Sequence, residues 1–134
     1  MRRNIGTDSP WEGVVGYSRA VRVGDTVHVA GTTAIRGGEV VAPGDAYRQA
    51  QVALEILVAA RAECGASPAD VVRTRLYVTD IRDWEAVGRA HGEVFADVRP
   101  ASTLVEVSAL IEPDLLVEIE ADAVVSAAGA VTPP

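Results

Sequence analysis

The chain has no lysine. All 12 of its basic residues are arginines, against 19 aspartates and glutamates, for a formal net charge of −7. A nucleic-acid binder carries a basic patch or stripe, and no run of basic residues occurs here, so a phosphate backbone is an unsuitable partner. Aromatic residues make up only 4% of the chain, with a single phenylalanine, so the core must be built tightly from alanine and valine. A lone cysteine, Cys64, excludes an internal disulfide and fits a reducing compartment. Falling at a predicted helix end, it reads as a small buried hydrophobe. No stretch approaches the ~20 apolar residues of a membrane-spanning helix. Residues Met1–Pro10 lack the apolar centre of a signal peptide. No membrane partner and a cytoplasmic location are therefore expected. Two histidines, His28 and His91, are too few for a metal centre, and no glycine-rich phosphate loop or nucleophile motif is present. Neither metal nor cofactor is expected.

At 134 residues the chain is read as one domain, 1–134, large enough to bury a core without disulfides or metal. Its organising stretch is Arg99–Val125, two strands joined by a loop containing Pro113-Asp114. In the first, Ala101, Thr103, Val105 and Val107 alternate with Ser102, Leu104, Glu106 and Ser108. In the second, Val117, Ile119, Ala121 and Ala123 alternate with Glu118, Glu120 and Asp122. Period-two alternation with β-branched residues marks half-buried strands and sets hydroxyls and carboxylates opposite the apolar face.

Residues 1–13 read as an N-terminal arm docked through Trp11. Val15–Val23 alternates as a strand, Gly24-Asp25 is a hairpin turn, and Thr26–Ala30 returns. Gly37-Gly38 forms another turn before Glu39–Val41. A first helix is capped by Asp45, buries Ala46, Ala50, Ala53, Leu57, Ala60 and Cys64 on one face, and ends at Gly65. Val71–Thr79 is a core strand. Asp80 or Asp83 caps a second helix running to about Asp97, with an inner stripe of Trp84, Val87, His91 and Val94–Phe95. Residues 126–134 read as a flexible tail. The order β-β-α-β-α-β-β predicts an α+β fold with a mixed sheet and both helices on one face. Aliphatic residues fall on both strand faces, so the second face is expected to be covered by a symmetric oligomer.

Chemistry has few candidates. Glu118 and Glu120 share a strand face, and a carboxylate in a partly closed cleft gains the raised pKa that suits general acid–base work. For Glu120 a solvated surface role is the simpler reading. His91 lies on the apolar stripe of the second helix, as a core histidine or a site residue. Gly88 and Gly92 flank it, each costing about 1 kcal/mol relative to alanine, which suggests room for a neighbouring backbone or a ligand. Arg73 and Arg75 are expected to bridge carboxylates across a subunit contact. Tyr17, beside Gly16, closes a cleft or merely packs.

The blocks Gly16-Tyr17-Ser18-Arg19-Ala20-Val21, Val29-Ala30-Gly31, Arg73–Asp80, Pro100-Ala101-Ser102-Thr103-Leu104-Val105-Glu106-Val107 and Val117-Glu118-Ile119-Glu120-Ala121 resemble the RidA (YjgF, reactive intermediate deaminase) family from about Val15 to Val125. The resemblance implies a chorismate-mutase-like fold, a homotrimer with clefts at the subunit junctions, and hydrolysis of reactive enamines and imines to ketoacids and ammonia. Position by position, it implies that Tyr17 is the cleft tyrosine, Gly31 the backbone-amide glycine and Glu118 the water-positioning glutamate. The helix asparagine and tyrosine of the family become Gly88 and His91. At Ser102 the deaminase members have an arginine that clamps the substrate carboxylate, and their frequent cysteine two positions on is Leu104. A serine loses the bidentate grip. A charged hydrogen-bonded pair contributes about 1.5–3 kcal/mol, so affinity for a small imino acid should fall one to two orders of magnitude.

The reading is therefore a small-molecule enzyme, hydrolase/deaminase- or lyase-like, on a small nitrogenous or aromatic ligand less anionic than an imino acid. Its expected site is Glu118 as the catalytic group with Tyr17, Gly31, Gly88, His91, Ser102 and Thr103 lining the pocket. The alternative is a non-catalytic ligand-binding trimer. A ribonuclease, a name this family sometimes carries, is opposed by the acidic charge and the missing lysines.

Overall fold

The computed structural model describes residues 1–7 and 9–126. The elements in chain order are β1 (Arg2–Ile5), β2 (Ala20–Val23), β3 (Thr26–Thr32), β4 (Ile35–Arg36), β5 (Glu39–Val40), α1 (Ala46–Glu63), β6 (Val71–Val78), α2 (Trp84–Phe95), β7 (Ala101–Glu106) and β8 (Val117–Val124). Six strands form one mixed sheet in the order β1-β2-β3-β8-β6-β7, while β4 and β5 make a separate small hairpin. Every pairing in the large sheet is antiparallel except β6 with β7. That parallel pair is possible because α2 lies between its strands in sequence and returns the chain to the same end.

The core lies between the sheet and the two helices. Alternation in β8 sends Val117, Ile119, Ala121 and Ala123 into it, and β6 contributes Leu76 and Val78. From α1 come Ala50, Ala53, Leu54 and Leu57, residues small enough for close helix–sheet approach. The expected caps are present. Asp45 Oδ1 accepts from Arg48 N–H at 3.0 Å, and Gly65 adopts φ +82 just past the helix end. Cys64 is buried there, and burial pushes its thiol up. At the second helix, Asp80 caps only the short turn Ile81–Asp83, and Asp83 makes no side-chain cap. The segment before β8, which carries Glu118, is held by the fully buried Gln49. Its amide donates to the carbonyls of Ala42 (3.2 Å) and Asp114 (2.9 Å) and accepts from Leu116 N–H (2.8 Å).

Several expectations need correction. The arm of residues 1–13 contains strand β1, antiparallel to β2 from Arg2↔Val23 to Ile5↔Ala20. An exposed edge strand needs only backbone pairing, so it left no apolar alternation to read. Trp11 does not dock, being 48% exposed, and the strand expected from Val15 begins only at Ala20 because residues 12–16 form a π-helical turn. Trp84 is 56% exposed, outside the stripe that Val87, Ala90 and Phe95 bury. In β7 the period is as expected and the facing is reversed: Ala101, Thr103 and Val105 lie on the open side, while Ser102, Leu104 and Glu106 share the helix side with Thr74, Leu76 and Val78. The tail expected at 126–134 lies, beyond Ser126, outside the described residues.

The sheet face away from the helices carries exposed Val23, Val105 and Val124 beside a polar network. Tyr77 Oη donates to Glu120 at 2.5 Å, Arg75 pairs with Glu120 (3.6 Å) and Asp122 (3.4 Å), and His28 Nδ1 lies 2.7 Å from Asp122. Arg75 thus bridges carboxylates of its own chain, and Glu120 is a member of that network rather than a free surface carboxylate.

Candidate functional site

Glu118 sits on this open face, opposite Tyr77 in the β6–β8 register. On its other side β3 is bulged. Val29 pairs with Ala121 and Thr32 with Ile119, so Ala30 and Gly31 together face the single residue Glu120. A bulge bends the strand and re-aims its groups. Here it brings the Gly31 backbone against the Glu118 side chain. A Cβ on Gly31 would stand 2.9 Å from Glu118 Cδ and closer still to Oε2. Gly31 is not in the left-handed region, so glycine is required there for space rather than for backbone freedom.

Burial pushes the Glu118 carboxyl above its ordinary value, the Arg19 guanidinium opposes that rise, and neighbouring Glu120 adds to it. Arg19 donates from Nη2 to the Gly31 carbonyl at 2.7 Å, and its Cζ lies 5.9 Å from the centre of the Tyr17 ring. Tyr17, Arg19, Gly31 and Glu118 therefore form one group. Tyr17 also borders a groove of about 700 Å³ on the open face, shared with Gly16, His28, Ala30 and Glu120, whose walls include neither Gly31 nor Glu118.

A second group lies across the sheet, under α2 at the β7 edge. Thr74 is fully buried, and its hydroxyl donates to Ser102 Oγ at 2.9 Å. Thr74 Oγ1 also lies 2.8 Å from His91 Nε2, within hydrogen-bond reach, with the direction set by the His91 tautomer. The His91 ring tilts against Phe95 with centroids 4.8 Å apart, and burial lowers its pKa. Gly88 is exposed one turn before His91 on the same helix face, and an added Cβ would meet nothing there, as at Gly92. Among the described residues no backbone accounts for the two helix glycines. Thr103 joins neither group; it is exposed on the open side, in register with Arg75.

Apart from Thr103, the expected site residues thus fall into two groups on opposite faces of one sheet. One chain brings Tyr17, Gly31 and Glu118 together, and separately His91 and Ser102, with Gly88 nearby on α2. Sequence reasoning missed Arg19 and Thr74. Arg19 interrupts the apolar alternation of Tyr17, Val21 and Val23. Thr74 sits in phase with Leu76 and Val78, a polar residue in a core row that must find a partner. Among the described residues no three His, Cys, Asp or Glu side chains gather as a metal site requires, and no helix is long and apolar enough to cross a membrane.

One mixed sheet with two helices on one face and a half-buried carboxylate on the other defines a small α+β domain of the YjgF type. Residues 8–125 match the family model described as Endoribonuclease L-PSP. A crystal structure of Rv2704 from Mycobacterium tuberculosis, a member of the YjgF/YER057c/UK114 family, superposes with a TM-score of 0.85 at 49% identity, covering 93% of this chain and 100% of that one. The uncharacterized protein SCO2049 of Streptomyces coelicolor is 46% identical over 121 residues, 90% of each chain. The 3-aminoacrylate deaminase RutC of Acinetobacter baylyi is 32% identical over 104 residues, 77% of this chain and 82% of that one. The chain belongs to the RidA/YjgF family, among whose members some are named deaminases and others endoribonucleases.

Proposed function

We propose that the protein is a small-molecule enzyme, hydrolase/deaminase- or lyase-like, whose cleft is completed between copies in a homotrimer. The observation that carries this reading is the half-buried Glu118 carboxylate laid in the space over Gly31. A carboxyl raised by burial works as a base or acid nearer neutral pH than a solvated one. In a deamination of the type named for the Acinetobacter relative, Glu118 takes a proton from water as its oxygen adds to the C=N carbon. The nitrogen then leaves as ammonia with the protons returned to it, and a carbonyl remains. The Gly31 N–H steadies the developing negative charge, and Tyr17 walls the pocket.

The split supports assembly. The half-site of His91 and Ser102 borders β7, a sheet edge with exposed Ala101, Thr103 and Val105 and without lysine or proline to guard it. A second copy seated on that edge brings its Glu118 half-site against the Ser102 half-site. The substrate is a small nitrogenous or aromatic molecule, since Ser102 supplies no guanidinium for a carboxylate. The test is turnover of 2-aminoacrylate and a panel of neutral imines by wild type and Glu118→Gln, with mass measured by light scattering. Loss of turnover in Glu118→Gln with a trimeric mass is expected. Full activity in that variant, or a stable monomer, overturns the reading.

The neutral Ser102 also favours a second reading, a ligand-binding trimer without turnover. In a thermal-shift screen, ligands that stabilise the protein and are recovered unchanged would select it. Ribonuclease activity, the name attached to the family model, is opposed by the net charge of −7 and the absence of lysine.

A further inference from the structure

We propose that Arg19 is a positioning residue for Glu118: it fixes the bulged backbone against which the carboxylate rests and lays a permanent positive charge beside it. The inference rests on Glu118 being the working carboxylate. Three features of Arg19 carry it. Its backbone bridges two strands, the N–H donating to Ile5 carbonyl at 2.8 Å and the carbonyl accepting from Ala30 N–H at 3.0 Å, so the residue is anchored at the start of the bulge. Its Nη2 then reaches the Gly31 carbonyl at 2.7 Å, holding the one residue whose missing side chain makes room for Glu118. Its Nε is buried and finds no acceptor among the described residues. A buried charged donor left unpaired is costly, and Arg61 Nε is the other such donor among the described residues. The Arg19 guanidinium holds Gly31 from one side while the Glu118 carboxylate lies over the same residue, so opposite charges share the bulge.

The groups facing Glu118 define what Arg19 must offset. Glu120 on the same strand repels it, Tyr77 on β6 is a neutral phenol held by Glu120, Gly31 on β3 is uncharged, and burial itself favours the protonated acid. Arg19 is the group that opposes all of these. With it the carboxylate form remains accessible, and the half-site holds one positive and one negative charge in a fixed relation. Without it Glu118 would sit protonated over a wider pH range and would be free to leave Gly31.

The test is the titration of the Glu118 carboxyl carbon by NMR in the full chain, which needs no substrate. Arg19→Gln keeps an N–H donor and removes the charge; its Glu118 midpoint should rise above the wild-type one. Arg19→Lys should return it most of the way. In wild type the Arg19 Nε–H resonance should move with the Glu118 midpoint, and that inflection should vanish in Glu118→Gln. An unchanged midpoint in Arg19→Gln, the same rise in Arg19→Lys, or a flat Arg19 resonance in wild type overturns the proposal. The wild-type resonance decides it even if a variant does not fold. Because turnover is not read, failure here leaves the Glu118→Gln activity test standing, and failure of that test leaves this titration unaffected.

Discussion

Gly31 and Glu118 occupy each other's space: the carboxylate of one fills the position where any side chain on the other would begin. Gly31→Ala therefore has a specific outcome. The backbone there accepts alanine, and the group in the way is the end of a flexible side chain, so the variant should fold with a melting temperature close to wild type. Glu118 should be expelled toward solvent, with its titration falling toward the ordinary carboxylate value and turnover or ligand binding lost about a hundredfold, a displacement of roughly 1 Å being enough for such a loss. Calorimetry and the Glu118 titration check the two halves.

Glu118 also sets a pH dependence of stability. Its folded pKa is raised by burial above the ordinary 4.5, so the folded state binds the proton where the unfolded chain has released it. The stabilisation from this group is present below the ordinary value and is lost as pH rises through the raised one. Glu118→Gln does not titrate. It should melt higher than wild type at neutral pH, with the gap closing as pH falls below the ordinary carboxylate range. Melting curves across that range read it directly, and a gap of the opposite sign would contradict the burial.

The His91 contribution has the other sign. Burial lowers its folded pKa below the ordinary 6.5, so stability is present above that value and is lost as pH falls through the folded one. His91→Gln should lack this acid-side loss. Thr74→Val, which leaves both His91 Nε2 and Ser102 Oγ without their shared partner, should cost about 1–3 kcal/mol in denaturant unfolding at neutral pH.

Ser102→Arg should fold, because position 102 is exposed and among the described residues its hydroxyl is tied only to Thr74. It should raise 2-aminoacrylate hydrolysis from little to a readily measured rate, by one to two orders of magnitude in kcat/KM if the new guanidinium grips the carboxylate. Robust wild-type turnover would show that the missing arginine is not limiting.

The alternation of Val117–Val124 was enough to place Glu118 on the open side of a strand, since every second residue there is apolar and buried. Asp45 and Gly65 marked the ends of α1 through capping chemistry that is local in sequence. The same logic misplaced β7, where Ala101, Thr103 and Val105 look like a core row and face away from the helices. Small and β-branched residues on both sides of that edge strand leave the period visible and the facing ambiguous. β1 was hidden for a related reason, since Arg2-Arg3-Asn4 is a polar run that joins the sheet through backbone pairing with no apolar alternation to mark it. Arg19 had no local signature, because its meaning depends on Gly31 and Glu118, distant in sequence.

The chain by itself determined its class, the ends of α1, the face of Glu118 and the uncharged residue at position 102, because these follow from periodicity, capping and residue identity. Only the tertiary structure decided that Ser102 and Glu118 lie on opposite faces of one sheet. Strand register and the parallel pairing of β6 with β7 set that relation, and hydrogen bonds between segments far apart in sequence carry it, with no pattern in either strand alone.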